Sequence, residues 1–257
     1  TADETEVVVT ITGNHDTLVY NGSEQSVTGY TTDVGEKTIT VALKEGSKAE
    51  AKGMNAGKYD MGLTKDNFTV TSQNYSNIKV VVVDGYLKID PITEKVTVTV
   101  TEKSDTVTYN GQEHSVTGYK SISADNTLYD VTTSVRATET EAWTAKGTNA
   151  GEYPVGIKAS DFRNTSKNFT NVEFVIVDGA LTITPVTDKV TVTVVEKSDT
   201  VTYDGQEHSV TGYKSMTADN ALYNIADVDE TPTAAWTAKG TYVGTYHVGI
   251  KAADFKN

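Results

Sequence analysis

The feature that most constrains this chain is an internal repeat. The segment Tyr-[Asn/Asp]-Gly, followed by Ser-Val-Thr-Gly-Tyr, begins at Tyr20, Tyr109 and Tyr203, so its copies are 89 and 94 residues apart. A second marker, Lys-Gly followed by Gly-x-Tyr, also occurs once in each copy. Repeats of this length are typical of domains that contact mainly their neighbours along the chain. The sequence therefore predicts a series of small domains.

The markers set three units, residues 1–94, 95–189 and 190–257. A third marker, Val-Asp-Gly before Leu-x-Ile, starts at Val83 and Val177, and the third unit has no counterpart of residues 165–184. We expect truncation, which would leave one edge of the third unit open to strand addition. A shifted domain phase is an alternative, as is a strand given by another chain, for which Val7–Val9 is a candidate.

Each unit has the pattern of β-strands. Apolar and polar residues alternate over Val96–Val100 and Leu181–Thr184, as in strands with one buried face. We find no sustained helical periodicity and expect only single helical turns near 158–162 and 251–255. The predicted fold is all-β, with tandem small domains that are β-sandwich-like or β-grasp-like and form an elongated rod.

Glycines after Asn or Asp predict the turns. Asn-Gly and Asp-Gly between strands favour type I′ hairpins, which need positive φ. We therefore expect positive φ at Gly22, Gly111 and Gly205. We also expect Gly85 and Gly179 to occupy the turns of two further hairpins.

The connections between units are short and contain proline. Only a few residues, including Pro91 and Pro185, separate the last strand of one unit from the first of the next. Proline fixes φ and disfavours helix before it. We expect modest hinge freedom between neighbouring repeats, which are the chain's main partners.

Charge and composition exclude several functions. The formal net charge is −13, which opposes binding to nucleic acid or an anionic membrane surface. Apolar runs such as Val80–Val83 are far shorter than the about 20 residues of a membrane-spanning helix. The absence of cysteine excludes thiolate chemistry and Cys-based metal sites. We expect a monomer whose export signal and anchor lie outside this sequence.

The two tryptophans, Trp143 and Trp236, are the candidate ligand-binding residues. Each occupies the same position in its unit, where the first unit has Ala49. An exposed indole could stack on a sugar ring. The alternative is packing against a middle segment around Leu128 and Leu222, which the first unit lacks. Because tryptophan and segment are missing together, we favour packing.

The search for catalytic and metal-binding residues predicts neither. In Glu113-His114-Ser115, neighbouring side chains of a strand would point to opposite faces, so His and Ser cannot form a catalytic pair. The middle segments offer oxygen ligands for a cation, but too few for calcium. These ligands are Asp125, Asn126 and Asp130, and Asp219, Asn220 and Asn224. We predict polar loops, no cofactor and no metal.

Clustered acids form one more candidate site. They are Glu139, Glu141, Asp227, Asp229 and Glu230. We interpret them as a solvated face, with a catalytic carboxylate pair as the alternative. The sequence therefore predicts that the chain is not an enzyme.

The repeat resembles a known family. Tyr109-Asn110-Gly111, then Gly147 to Tyr153, then Asp178-Gly179 with Leu181 and Ile183, are similar to the MBG-type repeats of large bacterial surface proteins. The first unit departs from the pattern, with Gly53-Met54 where the second has Gly147-Thr148. The resemblance implies an extracellular, Gram-positive, adhesin-like protein, and it brings no catalytic residues.

Two functions are consistent with these observations. The first is a structural stalk or spacer that displays an adhesive or other module away from a bacterial cell. The second is a carbohydrate- or host-protein-binding module that uses the variable middle segment of each repeat. Below, repeat 1, repeat 2 and repeat 3 denote residues 1–94, 95–189 and 190–257.

Overall fold

The structure is a computed structural model that describes residues 2–35, 37–138, 143–231 and 236–257. The fold is all-β, built of small sheets, in agreement with the sequence prediction. Its described helices are single turns: α1 at Val131–Ser134, and 3-10 turns at Lys65–Asn67, Ala159–Asp161, Ile225–Asp227 and Ala252–Asp254. Two of these 3-10 turns lie within the predicted turns 158–162 and 251–255.

The described residues of repeat 1 form two three-stranded sheets and two strand pairs. Its strands are β1 (Val7–Gly13), β2 (His15–Val19), β3 (Gln25–Thr28), β4 (Tyr30–Asp33), β5 (Thr40–Leu43), β6 (Glu50–Gly53), β7 (Gly57–Asp60), β8 (Phe68–Thr71), β9 (Ile78–Val83) and β10 (Tyr86–Asp90). In the first sheet β1 lies between antiparallel β4 and parallel β9. In the second, β10 lies between parallel β2 and antiparallel β7. The pairs are β3 with β6 and β5 with β8.

Two long segments, β1–β2 and β9–β10, therefore run side by side and pass together from one sheet to the other. At the crossing, a Cβ on Gly13 would lie 2.4 Å from the backbone nitrogen of Gly85. A Cβ on Gly85 would lie 2.4 Å from the carbonyl oxygen of Asn14. Side chains here would collide with backbone, so the contact requires glycine.

This geometry corrects the hairpin prediction for Gly85 and Gly179. Neither glycine has a positive φ, and β9 and β10 pair with other strands rather than with each other. Gly179 packs in the same way, since its Cβ would lie 2.3 Å from the carbonyl oxygen of Lys103. Glycine is needed at both positions because the backbone of a segment about 75 residues away in the chain packs closely against it, and not because a local turn needs it.

The core of repeat 1 follows from alternation along β1 and β10. Val9 and Ile11 are fully buried and pack with Leu63 and Phe68. Leu87 and Ile89 of β10 form a second cluster with Ala51. Apolar residues at every second position thus point inward from both sheets, as the sequence pattern predicts.

Repeat 2 has the same first sheet. Its strands are β11 (Val96–Glu102), β12 (Asp105–Thr108), β13 (His114–Thr117), β14 (Tyr119–Ala124), β15 (Val135–Ala137), β16 (Thr144–Gly147), β17 (Gly151–Pro154), β18 (Phe162–Asn164), β19 (Val172–Val177) and β20 (Ala180–Thr184). The central strand β11 pairs antiparallel with β14 and parallel with β19. The pair β15–β18 is antiparallel.

Repeat 3 has only the antiparallel half of that sheet among the described residues. Its strands are β21 (Val192–Glu196), β22 (His208–Thr211), β23 (Tyr213–Ala218), β24 (Asp229–Glu230), β25 (Thr237–Gly240) and β26 (Phe255–Lys256). They form the pairs β21–β23, β22–β25 and β24–β26.

By packing, the chain divides into two compact units. The first contains Thr1–Asp105, Ser115–Lys146 and Tyr153–Leu181, and the second contains Thr106–His114, Gly147–Glu152 and Thr182–Asn257. This division follows contacts in space rather than sequence similarity. The repeat boundaries near residues 94 and 189 stay a prediction.

Candidate functional site: the joint between repeats

The Tyr-[Asn/Asp]-Gly motif forms the same turn in each repeat. The side-chain oxygen of Asn21 accepts a hydrogen bond from the Ser23 backbone N–H at 2.9 Å, and the copies at Asn110 and Asp204 do the same. Gly22, Gly111 and Gly205 have φ of 78°, 78° and 82° in the left-handed region. The turns do not close hairpins, however, because β2 pairs with β10 while β3 pairs with β6.

In two places this turn packs against the middle segment of the following repeat. A Cβ on Gly22 would lie 2.9 Å from Cδ2 of Leu128. Within the second compact unit, a Cβ on Gly111 would lie 3.1 Å from Cδ2 of Leu222. The middle segment that distinguishes repeats 2 and 3 therefore contacts the preceding repeat.

Three aromatic rings form the apolar part of the joint between repeats 1 and 2. Phe169 is 2% exposed, and it meets Tyr20 edge-on at 5.7 Å and Tyr129 edge-on at 5.0 Å. Ile92, in the connection, is also buried and belongs to the same cluster. Edge-to-face pairs each contribute about 0.5–1.5 kcal/mol beyond area burial.

Asn168 provides the polar part of this joint. Its Oδ1 accepts the backbone N–H of Ala56 at 2.7 Å, and its Nδ2 donates to Oδ1 of Asn55 at 3.0 Å. Its carbonyl oxygen accepts the N–H of Ile92 at 2.8 Å, and Thr170 donates its N–H back to the Ile92 carbonyl at 3.1 Å. The connection after Pro91 is therefore a β-bridge, which limits the hinge freedom of this connection.

The middle segment of repeat 2 is anchored to the strand that precedes Phe169. The Tyr129 hydroxyl donates to Oδ1 of Asn164 at 2.9 Å, and Nδ2 of Asn164 donates to the carbonyl of Phe169 at 2.8 Å. Burial of the ring raises the pKa of Tyr129 above its ordinary value. The segment thus holds Phe169 in place.

The predicted oxygen ligands of the middle segments make local hydrogen bonds. Asp130 caps α1, and bonds from the Thr132 hydroxyl and N–H and the Thr133 hydroxyl hold its pKa below the ordinary value. Asp125 accepts the N–H of Thr97, and Asn126 accepts that of Leu128. The equivalents Asp219, Asn220 and Asn224 accept backbone N–H groups in the same way. In the described ranges, no cluster of three acidic or histidine side chains could hold a metal ion.

Both tryptophans are buried. Trp143 is 3% and Trp236 2% exposed, and each indole N–H donates to a carboxylate, Asp161 at 2.9 Å and Asp254 at 3.0 Å. Trp143 stacks on Phe162 at 5.3 Å, and Tyr129 packs against Phe169. Packing of the tryptophans against the middle segments stays a prediction. Each indole would have to leave its pocket to stack on a ligand, and ligand binding by either stays a prediction.

The other candidates are dispersed. His114 Nε2 lies 2.8 Å from Oδ1 of Asn110 in the turn, rather than at Ser115. Glu230 accepts the Tyr213 hydroxyl at 2.7 Å, which raises the pKa of that tyrosine. Asp227 and Asp229 are exposed, and Glu139 and Glu141 lie outside the described residues.

The similarity of the chain to known proteins is slight. No protein-family model matches it, and no curated protein does. A solved structure of the N-terminal eight Ig domains of Down Syndrome Cell Adhesion Molecule (DSCAM) isoform 1.30.30 is similar over 77% of this chain, with 8% identity and a TM-score of 0.20. The chain spans 29% of that structure's length. Separately, no helix in the described part is long and apolar enough to cross a membrane.

Proposed function

We propose that this chain is a structural stalk, or spacer, of an extracellular bacterial surface protein that displays an adhesive or other module away from the cell. The observation that carries the proposal is the joint at Asn168 and Phe169. There repeat 2 contacts repeat 1 through hydrogen bonds from Asn168 and through packing of Phe169 on Tyr20. The resemblance to MBG-type repeats of Gram-positive surface proteins supports the location. The proposal assigns no catalytic activity.

A spacer needs joints that resist bending, and the contacts at this joint oppose it. A Gly/Ser tether leaves domains free to rotate. Here any rotation about the connection would separate Phe169 from Tyr20 and break the bonds from Asn168 to Asn55 and Ala56. Each hydrogen bond contributes about 0.5–1.5 kcal/mol net, so their joint loss opposes bending.

The test measures the distance between repeats 1 and 2 by pulsed electron spin resonance. The chain has no cysteine, so Glu45→Cys and Lys120→Cys, both exposed, accept spin labels without competition. We expect one narrow distance distribution, which broadens in the double variant Asn168→Ala, Phe169→Ala. A broad distribution already in the unchanged joint would contradict the spacer.

Repeat 1 offers a matched control for the polar contact. Asn74 is the equivalent of Asn168, and its carbonyl oxygen accepts the Asp3 N–H as that of Asn168 accepts the Ile92 N–H. Asn74→Ala removes the same amide from outside the joint. We expect it to leave the distance distribution unchanged, while Asn168→Ala alone broadens it.

The binding-module alternative depends on the middle segment. Leu128 contacts Gly22, and Tyr129 contacts Phe169, so both are used in the joint. A glycan array separates the two functions. Specific binding that is lost in a middle-segment variant with a rigid joint would favour the binding module over the spacer.

A further inference from the structure

A histidine lies beside the turn motif of repeat 2. Its ring nitrogen, His114 Nε2, is 2.8 Å from Oδ1 of Asn110, and the same oxygen accepts the Gln112 N–H at 2.9 Å. The backbone N–H identifies this atom as the amide oxygen, which carries no hydrogen, so the ring of His114 donates. Asn110 is exposed to solvent and is followed by Gly111. Two donors therefore hold the side-chain oxygen of an exposed Asn-Gly pair.

Repeat 1 has the same turn without the histidine. Oδ1 of Asn21 accepts the Ser23 N–H at 2.9 Å. Gln25 holds the position of His114, and its Nε2 donates to the carbonyl oxygen of Val19 at 3.2 Å. Among the described residues, only the backbone donor reaches the Asn21 oxygen. The two repeats thus form a matched pair that differs in one donor.

Repeat 3 carries an aspartate in this turn. Oδ1 of Asp204 accepts the Gln206 N–H at 2.9 Å and lies 2.9 Å from Nε2 of His208. The bonds from Gln206 and His208 lower the pKa of Asp204 below its ordinary value. The φ of Gly205 is 82°, close to the 78° of Gly111. The turn therefore accommodates a carboxylate in place of the amide, with the same partners and a similar backbone.

The arrangement in repeat 2 favours attack of a backbone nitrogen on the Asn110 side chain. Because Oδ1 reaches the N–H two positions along, the side chain is folded back over the nitrogen of Gly111. Glycine has no side chain to obstruct the attack, and its N–H makes no hydrogen bond in the part of the chain that the structure describes. Attack places negative charge on Oδ1, where Gln112 and His114 donate. Donors already aimed at an oxygen that becomes charged stabilise the transition state.

We propose that Asn110-Gly111 is a self-modification site, at which Asn110 loses its side-chain amide with the help of His114. The Gly111 nitrogen forms a bond to Cγ of Asn110, its proton passes to the amide nitrogen, and ammonia leaves as the old Cγ–N bond breaks. Water then opens the cyclic imide. Addition of water at Cγ gives aspartate, and addition at the main-chain carbonyl gives isoaspartate. The reaction goes beyond the spacer function and is independent of it.

Each product changes the turn in a defined way. The aspartate would form with His114 the pair that Asp204 forms with His208 in repeat 3. The isoaspartate lengthens the main chain next to Gly111, which packs near Leu222 in the same compact unit. The reaction therefore adds negative charge to a turn that contacts the following repeat, and the isoaspartate also displaces that contact.

The test incubates the whole chain at neutral pH and follows each Asn-Gly pair by peptide mapping with mass spectrometry. Loss of the amide is read from the mass difference between NH₂ and OH, and chromatography separates aspartate from isoaspartate. We expect Asn110 to react about 5-fold faster than Asn21, because one additional hydrogen bond of about 1 kcal/mol lowers the barrier. An equal or slower reaction at Asn110 would overturn the proposal.

Exchange of the two side chains tests the role of the histidine. His114→Gln gives repeat 2 the residue of repeat 1, and we expect it to slow the reaction at Asn110 about 5-fold. Gln25→His gives repeat 1 the residue of repeat 2, and we expect it to accelerate the reaction at Asn21. Unchanged tryptophan fluorescence would show that both variants are folded. Unchanged rates in both would mean an ordinary Asn-Gly reaction without the histidine, which would refute the proposal.

Unfolding provides a control for the local sequence. In concentrated urea the turn is lost, so we expect Asn110 and Asn21 to react at equal rates. A difference that persists in the unfolded chain would come from the neighbouring residues rather than from the folded turn, against the proposal. None of these rates affects the spin-label distances between repeats 1 and 2, so the spacer proposal stands or fails separately.

Discussion

Repeats 2 and 3 carry nearly the same central strand in two different environments. Val98 is fully buried in β11, whereas its equivalent Val192 in β21 is half-buried. Glu102 is 4% exposed, and Glu196 is exposed. The difference is β19, which pairs with β11 and has no described counterpart beside β21. Burial of a strand therefore depends on its partner as much as on its own apolar pattern.

The tryptophan side of the two repeats does not show this difference. Trp143 and Trp236 are both nearly inaccessible to solvent. Each indole N–H donates a hydrogen bond to an aspartate that is the third residue of an equivalent 3-10 turn. This part of the core is closed both in repeat 2, where β19 pairs with β11, and in repeat 3, where no described strand holds that place beside β21. The comparison thus divides each repeat into a region that forms locally and a face that needs a distant strand.

The largest expected effect comes from removing an indole. Trp143→Ala should cost about 3–5 kcal/mol in the free energy of unfolding of repeat 2, because it leaves a cavity in a closed core. Trp236→Ala should cost less, because the neighbouring ring of Phe255 is only half-buried. Hydrogen exchange in the whole protein, followed in proteolytic fragments of each repeat, gives both free energies of unfolding. Equal losses would show that the open face does not weaken the tryptophan core.

The glutamates give the next effect. Glu102→Gln should destabilise repeat 2 by about 1–3 kcal/mol, because an amide NH₂ would face the N–H of either Ile157 or Gly179. Glu196→Gln should cost under about 1 kcal/mol, since its amide can turn its oxygen to Ile250. Urea unfolding in Trp236→Phe and Trp143→Phe backgrounds reports each repeat separately. A larger loss at Glu196 would contradict the difference in bonding between the two glutamates.

The turn glycines separate backbone strain from contact between repeats. Gly111→Ala and Gly205→Ala should each cost about 1–2 kcal/mol, because both residues have left-handed φ. Only at Gly111 would the new Cβ also press on Leu222, at 3.1 Å, while nothing lies within 4 Å at Gly205. The excess loss of stability at Gly111, measured by thermal unfolding, is the steric cost of placing the new Cβ against Leu222. No excess would mean that Leu222 moves away freely.

The smallest effect is a pH dependence at one position, the cap of the turn in the middle segment, where repeat 2 has a titrating residue and repeat 3 does not. The cap of α1 is Asp130, whereas Asn224 caps the equivalent turn and does not titrate. Hydrogen bonds lower the pKa of Asp130, so its charge stabilises repeat 2 at neutral pH, and this is lost as pH falls through that lowered value. The difference between the melting temperatures of the wild type and of Asp130→Asn should therefore decrease in acid. A difference that is constant with pH would contradict this.

Local features were predictable from sequence, and partners distant in the chain were not. The strand class follows from alternation in segments such as Val96–Val100, and the left-handed glycines follow from Asn-Gly and Asp-Gly. Gly85 was misread as a hairpin turn because the reason for it, the backbone of Gly13 and Asn14, lies more than 70 residues earlier. Local turn rules contain no information about such a crossing.

The joint shows the same limit. The short connection at Pro91 predicted modest hinge freedom, but nothing in the spacing of Asn168 and Phe169 indicated contact with Asn55 or Tyr20. The middle segment was recognised as an insertion, but its contacts with Asn164 and Phe169 were not predicted. A useful signal was its recurrence in repeats 2 and 3.

The parallel crossing in repeat 1 also sets how the domain responds to tension. The chain enters through β1 and leaves through β10, and both β1–β9 and β2–β10 run parallel. Pulling on the two ends drags the entering and leaving strands past each other along their length. Their backbone hydrogen bonds are then loaded in shear and share the force, rather than opening one after another. Such a domain yields only when a whole ladder breaks at once.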